Sequence, residues 1–419
     1  MHFKLRRKAM YIVLALAYQM VFLQGMVMTI VAKDLMRELD LTPDRMGMLG
    51  STYLYAYAAV MLCSGMLAAW VGPHRLLSGL FLISGAGGLL FANSHSLGLA
   101  MLGRALSGVG LAATMTSSFT LFGRWYPPSA YPRVCSYFFA CGGFGALAGI
   151  GLLAPLNAAW GWRAVFTLIA CLTLAYSLLL AATVRDWPPG DAEISPGQPG
   201  QKRNDVTPAI LWQSVKQVVR NADFWRLVVW FASLPGIYFG FIGLWAIPYF
   251  KDVYNMSDAQ AGGLACLAGL GFIVGSPLVA WLSENVWHSQ RLTVGASGVA
   301  AMAMVLPLIF LTGDMNGTGL VLLILCLGMT LNAPNVCAYA AARNLFGTRM
   351  AGITGGVFGC VTFIAGSAMQ ILCGVLLGYA QNRNWSQAES YGLAFTPFLL
   401  CGLVAAVAGF TLSPKSDAG

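Results

Sequence analysis

The stretch Asp186–Pro208, DWPPGDAEISPGQPGQKRNDVTP, decides the fold, because no other long stretch of the 419 residues resembles it. It is rich in proline, glycine and charge, as a solvated connection should be. On both sides the chain is apolar with only brief interruptions. Before it lie apolar segments at about 10–32, 46–70, 76–93, 97–123, 131–157 and 162–184. After it lie six more, at about 224–250, 258–283, 291–312, 318–342, 350–380 and 391–411. Nearly all can supply the roughly 20 apolar residues that a membrane-spanning helix needs.

The composition agrees. Hydrophobic residues make up 58% of the chain and charged residues 9%, with a mean hydropathy of +0.70. A water-facing surface draws on about 25% charged residues, so a soluble enzyme is excluded. The expectation is an all-α polytopic membrane protein of 12 transmembrane helices in two pseudo-symmetric six-helix bundles. Residues 1–184 form the first bundle, 185–223 a linker and 224–419 the second. Within the linker, Leu211, Trp212, Val215, Val218 and Val219 fall near one helical face, which suits an interfacial helix. The basic start, MHFKLRRKAM, precedes an apolar run that is too long for a signal peptide and lacks a cleavage site, so it reads as a retained first helix.

A net charge of +9 raises the question of nucleic acid, but the basic residues sit between the apolar segments. With the amino terminus inside, 17 Lys and Arg fall on the inner side and six on the outer. That bias makes the linker and both termini cytoplasmic, and the setting a bacterial inner membrane. Asn255, Asn316 and Asn384 begin N-x-S/T triplets on the outer side, in loops too short to favour glycosylation. All ten cysteines lie inside apolar segments without a CxxC pair, so neither a disulfide frame nor a metal site is expected.

The two halves repeat weakly. LTPDRMG ends the first loop and NMSDAQAG the seventh, placing Thr42 and Ser257 at matching helix N-caps 215 residues apart. Each is expected to satisfy orphan backbone donors. Pro43 suits the first helical position, and Ser257 with Gln260 forms a capping-box pattern. Gly142-Gly143 recurs as Gly355-Gly356, 213 residues later.

With its basic linker and its motifs, the whole chain resembles the major facilitator superfamily of secondary transporters. That family carries G-x-L-A-D-R-x-G-R-R between its second and third spans, and this chain has GMLAAWVGPHR from Gly65 to Arg75. Gly65, Leu67, Ala68 and Gly72 fit, whereas Ala69 and Trp70 replace the acid and base. The degenerate second copy, AWLSENVWHSQR from Ala280, keeps an acid at Glu284. The resemblance makes Glu284 a partner for Arg349 or Arg133 in an inner gate, as opposed to a solvated loop carboxylate. Gly65, Gly72, Arg75 and Arg343 are further gating candidates. LGRALSGVGLAA, from Leu102, resembles the family's R-x-x-x-G-x-G element with Arg104 as its arginine. Lipid exposure of Arg104 would be costly, so it faces protein or water, in either a structural or a functional role. Gly145 and Gly149 mark close helix packing.

Polar and aromatic stripes at helical spacing mark a cavity. Span ten offers Asn332, Asn335, Tyr339 and Arg343 on one face. Span seven offers Tyr238, Trp245 and Tyr249 beyond an expected break at Pro235-Gly236. Tyr53 and Tyr57 in span two, Phe363, Ser367 and Gln370 in span eleven, and Gln24 in span one complete the set. Interhelical bonding is the competing role for each residue alone; their convergence favours a site between the halves. No Asp or Glu occupies the middle of a span, which argues against a buried carboxylate relay, with Asp34 a lesser candidate.

These features predict a monomeric secondary transporter that moves a small polar organic solute, anionic, zwitterionic or neutral, by alternating access in a lipid bilayer. A coupling ion remains open. No cofactor, metal or nucleic acid is implied, and no nucleophile with its base appears at membrane depth, so an enzyme is not expected. The alternative is a transporter-like membrane sensor that binds a solute and signals to a partner.

Overall fold

A computed structural model describes residues 2–127, 130–188, 218–332, 334–346 and 351–417. Linker residues 189–217, including most of its expected interfacial helix, lie outside them. The described residues are almost entirely helical: α1 His2–Glu38, α2 Pro43–Val71, α3 Pro73–Ala92, α4 Leu97–Leu111, α5 Thr114–Trp125, α6 Tyr131–Thr183, α7 Ala222–Gly240, α8 Ala246–Tyr254, α9 Asp258–Asn285, α10 Gln290–Phe310, α11 Gly317–Leu331, α12 Asn335–Phe346, α13 Ala351–Gln381 and α14 Gln387–Phe410.

Eleven helical stretches among the described residues are long and apolar enough to cross a membrane. One of them, Cys141–Thr183, has 43 residues and would measure about 65 Å if straight, twice the hydrocarbon thickness of about 30 Å. It is interrupted at Gly161, where φ is 77° and ψ 163°, a conformation open to glycine.

Helix ends follow the sequence where side chains can act. Ser257 caps α9 with its hydroxyl on the Gln260 amide, and the Gln260 side chain accepts from the Ser257 amide in return. Thr42 departs from expectation. Its backbone has cap geometry, but its hydroxyl makes no cap bond, and Pro43 has already removed one orphan donor. Asn316 caps α11, and Asn255 and Asn384 adopt left-handed conformations, so the three N-x-S/T asparagines all serve helix ends or turns.

Span seven is not broken at Pro235-Gly236. α7 runs through both residues, and the irregularity falls later, in a π turn at Phe241–Trp245. Proline lacks the amide that would bond the carbonyl four residues back, which here is Phe231. Thr362 of α13 donates its hydroxyl to that carbonyl at 3.1 Å, satisfying it from a neighbouring helix.

Within the first half of the chain α1 packs on α6, α3 on α4 and α6, and α2 on α4. Within the second, α7 packs on α13 and α14, α9 on α11, and α10 on α14. Among the described residues the halves meet mainly where α2 packs on α13, α6 on α9, and α1 on the π turn and α8. The repeat extends to packing. α4 and α11 both have 15 residues before a break, and α5 and α12 both have 12 after it. A Cβ on Gly108 would sit 2.3 Å from the Tyr53 carbonyl oxygen, and one on Gly328 would sit 2.0 Å from that of Ala268. Tyr53 and Ala268 stand 215 residues apart, as Thr42 and Ser257 do. Gly142-Gly143 and Gly355-Gly356 do not repeat in this way. The first pair packs against Tyr18, Phe22 and Ile273, whereas Gly356 meets nothing within 4 Å.

Candidate functional site

Arg104 projects from α4 into the first half and is 1% exposed. One terminal nitrogen donates to the Gln24 carbonyl at 3.2 Å, and the guanidinium carbon lies 4.6 Å from the Tyr53 ring centre. Among the described residues it makes no ion pair, and its buried Nε has no partner. A cation desolvated this far is costly unless an anion compensates it. Counted from the starts of α4 and α11, Arg104 corresponds in the second half to Ile324, which is fully buried.

Gln24 completes this corner through interhelical bonds. Its side-chain amide donates to Thr173 Oγ1 of α6 at 3.0 Å, a partner the sequence reading missed. Tyr53 donates to the Val21 carbonyl at 3.1 Å. From there aromatic rings cross between the halves. Tyr53 lies 6.1 Å from Tyr57, Tyr57 lies 4.6 Å from Phe363, and Phe363 lies 5.0 Å from Phe239 of α7. Tyr18 was also missed. It stacks on Phe138 at 4.4 Å and meets Phe22 edge-on at 5.2 Å.

Gln370 occupies the corresponding interface in α13. Its side-chain amide donates to the Phe239 carbonyl at 3.1 Å, and its own carbonyl accepts from Trp245 Nε1 at 3.0 Å. Its Oε1 is buried without a partner. The fit depends on α2 glycines: a Cβ on Gly47 would lie 2.6 Å from the Gln370 carbonyl oxygen, and one on Gly50 would lie 3.0 Å from its Oε1. Ser367 donates to the Ser51 carbonyl at 3.3 Å.

The remaining candidates divide. Tyr238 is 1% exposed in α7. Tyr249, beyond the π turn, packs against Tyr391 and Phe395 of α14, so the expected single stripe of Tyr238, Trp245 and Tyr249 is split. Asn332 and Asn335 flank the break between α11 and α12 and bond each other at 2.5 Å. Among the described residues the buried Asn335 Oδ1 has no partner. Tyr339 is half-buried, 4.8 Å from Phe231, and Arg343 is exposed a turn further on.

The two ends of the bundle differ. At the end carrying Thr42 and Ser257 the halves meet closely. A Cβ on Gly374 of α13 would lie 2.4 Å from the Pro43 carbonyl oxygen, and one on Gly262 of α9 would lie 2.4 Å from the Ala154 Cβ. Thr29 Oγ1 accepts from the Ile247 amide at 3.2 Å, and Lys33 pairs with Asp252. Asp34 accepts from Asn157 at 2.8 Å. Along α2 such contacts reach Ala58, which accepts from Cys360 Sγ at 3.6 Å, and Met61, which meets Gly359. Gly65, a turn beyond, meets Thr116 of its own half.

At that far end Arg75 and Glu284 are exposed, and Glu284 makes no ion pair among the described residues. Arg349 and the side chain of Arg133, its expected partners, lie outside the described residues. Gly72 joins α2 to α3 at φ 91°. Asp186 Oδ1, beyond α6, accepts from the His74 amide at 2.9 Å and so serves the start of α3.

Residues 11–370 match the model of the Major Facilitator Superfamily. A Cupriavidus necator protein named "Probable sulfoacetate transporter" is 24% identical over 427 aligned residues, covering 96% of this chain and 93% of its own. A Chlamydia trachomatis "Probable hexose phosphate transport protein" is 20% identical, covering 97% and 90%. In fold, the chain is similar to a bacterial homologue of the human lysosomal transporter Spinster, with a TM-score of 0.77, 17% identity and coverage of 97% and 96%. The chain is an integral membrane protein that belongs to the major facilitator superfamily.

Proposed function

We propose that the chain is a secondary transporter that carries a small organic anion through a site between two six-helix bundles, residues 1–184 and 224–419, by alternating access. The observation that carries the anionic assignment is Arg104, fully buried with no ion pair among the described residues, at a position where the repeat has isoleucine. A desolvated guanidinium with a free donor favours a carboxylate, sulfonate or phosphate. The two relatives matched over nine-tenths of both lengths bear the names of anion carriers, which agrees. The inward rings of Tyr53, Tyr57, Phe363 and Phe239 would wall the organic part of the solute, with Gln24, Gln370, Asn332, Asn335, Tyr238, Trp245 and Tyr339 as neighbouring lining candidates.

Twelve crossings follow if Gly161 separates two spans within α6. With the linker and both termini cytoplasmic, as the charge bias favours, the Thr42 end faces outward and is shut, and the Glu284 end faces a bacterial cytoplasm. In that frame Glu284 with Arg349 or Arg133 forms the inner gate in the opposite state, and Arg75 and Arg343 face the same side.

The test is counterflow in proteoliposomes with labelled sulfoacetate and glucose 6-phosphate as probes. Saturable exchange of at least one anion is expected, reduced tenfold or more in Arg104→Met and partly retained in Arg104→Lys. Arg104→Met protein that remains folded and exchanges the anion at the unmodified rate would overturn the assignment.

A further inference from the structure

Charge pairing differs between the two ends of this repeat. Of the five ion pairs among the described residues, four join partners in the same half of the chain, and Lys33–Asp252 alone crosses between halves. The acid near the end of the first apolar span of each half is handled differently. Glu38, at the end of α1, is neutralised within its own half: Arg163 contacts it through Nε at 3.0 Å and a terminal nitrogen at 2.6 Å, and Trp162 Nε1 donates to it at 2.6 Å. Arg163 also holds the Ala92 and Ser94 carbonyls, which ties α1, α3 and α6 into one unit.

Among the described residues, Asp252, near the end of α8, receives only a neutral donor from its own half. The hydroxyl of Tyr391, a buried residue of α14, meets Asp252 Oδ2 at 2.8 Å, while Asp252 Oδ1 is reserved for Lys33. The nearby cation Lys251 is already engaged with Asp258. Asp252 is only 15% exposed and Lys33 35%, so separating the halves here leaves a partly desolvated carboxylate without its cation. The Glu38 cluster would pass through the same movement intact.

We infer that Lys33 and Asp252 form a latch that is made only when the Thr42 end is shut, with Tyr391 as the positioning residue that keeps Asp252 aimed across the interface. The inference rests on the alternating-access reading proposed above. The adjoining bond from the Ile247 amide to Thr29 ties α8 to α1 one turn deeper and makes the latch the rim of a continuous contact. An ion pair at this exposure shifts an equilibrium by about two- to fivefold.

The test is hydrogen–deuterium exchange of the whole protein in lipid nanodiscs, without added solute, comparing Lys33→Met, Asp252→Asn, Tyr391→Phe and the charge reversal Lys33→Asp with Asp252→Lys. Exchange in peptides covering residues 29–40 and 247–255 is expected to rise about two- to fivefold in the single variants and to fall back in the charge reversal. Lys251→Met, which breaks a pair within one half, should leave residues 29–40 unchanged. Single variants that exchange like the unmodified protein, or a charge reversal no better than either single variant, would overturn the latch. Counterflow measured on the same preparations separates the two claims: failure of every probe to move would count against the transport reading, whereas the exchange pattern decides the latch.

Discussion

Replacing Gly374 with alanine tests whether the closely packed end is a state that the protein must enter and leave. The added methyl would lie 2.4 Å from the Pro43 carbonyl oxygen and 3.1 Å from the Trp245 ring. Neither Pro43 nor the helix backbone can turn aside like a flexible side chain, so α2 and α13 must separate by about 1 Å to restore ordinary contact. Overpacking of this kind costs about 1–3 kcal/mol. At about 2 kcal/mol the population closed at this end falls about 30-fold relative to the open one. Gly378, one turn along the same helix, supplies the control: its added methyl would meet Pro43 Cδ at an ordinary 3.8 Å. Gly374→Ala should therefore raise deuterium exchange at the start of α2 and the end of α13 and slow counterflow about tenfold or more, while Gly378→Ala changes neither. Equal impairment of both variants, or unmodified exchange and counterflow in Gly374→Ala, would refute the argument.

Three further outcomes follow from local geometry. Thr362→Val leaves the Phe231 carbonyl unpartnered and should cost about 1 kcal/mol in SDS-titrated unfolding, whereas in a Pro235→Ala background the restored amide should reduce that cost to near zero; equal costs in both backgrounds would refute the repair. Ser257→Ala should destabilise by about 1 kcal/mol and Thr42→Ala by much less, because only the serine makes its cap bond; the same unfolding titration reads both. Gly72→Ala forces a side chain into a φ of 91° and onto Asp186 Oδ2, 2.7 Å away, and should cost about 1–3 kcal/mol, seen as a lower thermal midpoint in detergent.

Much of this architecture was legible because membrane helices announce themselves by length and apolarity. Most of the helix boundaries, the Ser257 capping box and the glycines beneath Arg104 follow from local residue chemistry. The expected break at Pro235-Gly236 failed for a reason lying 127 residues away, in the hydroxyl of Thr362. Local sequence shows that a proline removes an amide; it does not show which neighbour will supply a replacement. The break between α4 and α5 falls at Ala112-Ala113, residues that carry no helix-stop signal. The Lys33–Asp252 pair was hidden differently: each residue counts as an outer-loop charge until the fold brings positions 219 apart together.

The repeat separates what the fold needs from what it does not. Gly108 and Gly328 approach backbone carbonyls at matching positions, and the helices that carry them break after the same number of residues. Those shared features belong to packing, since two different sequences arrive at them. Arg104 has buried Ile324 opposite it, and Asp252 has Arg37 opposite it at the 215-residue offset. The guanidinium bridges α4 to Gln24 of α1 and Tyr53 of α2, and the second half packs an isoleucine at the matching position. A duplicated scaffold tolerates such a costly departure where something outside the scaffold compensates it. On the readings proposed above, that compensation for Arg104 would be the anion, and for Asp252 it would be Lys33 of the other half, paired only while the two halves touch.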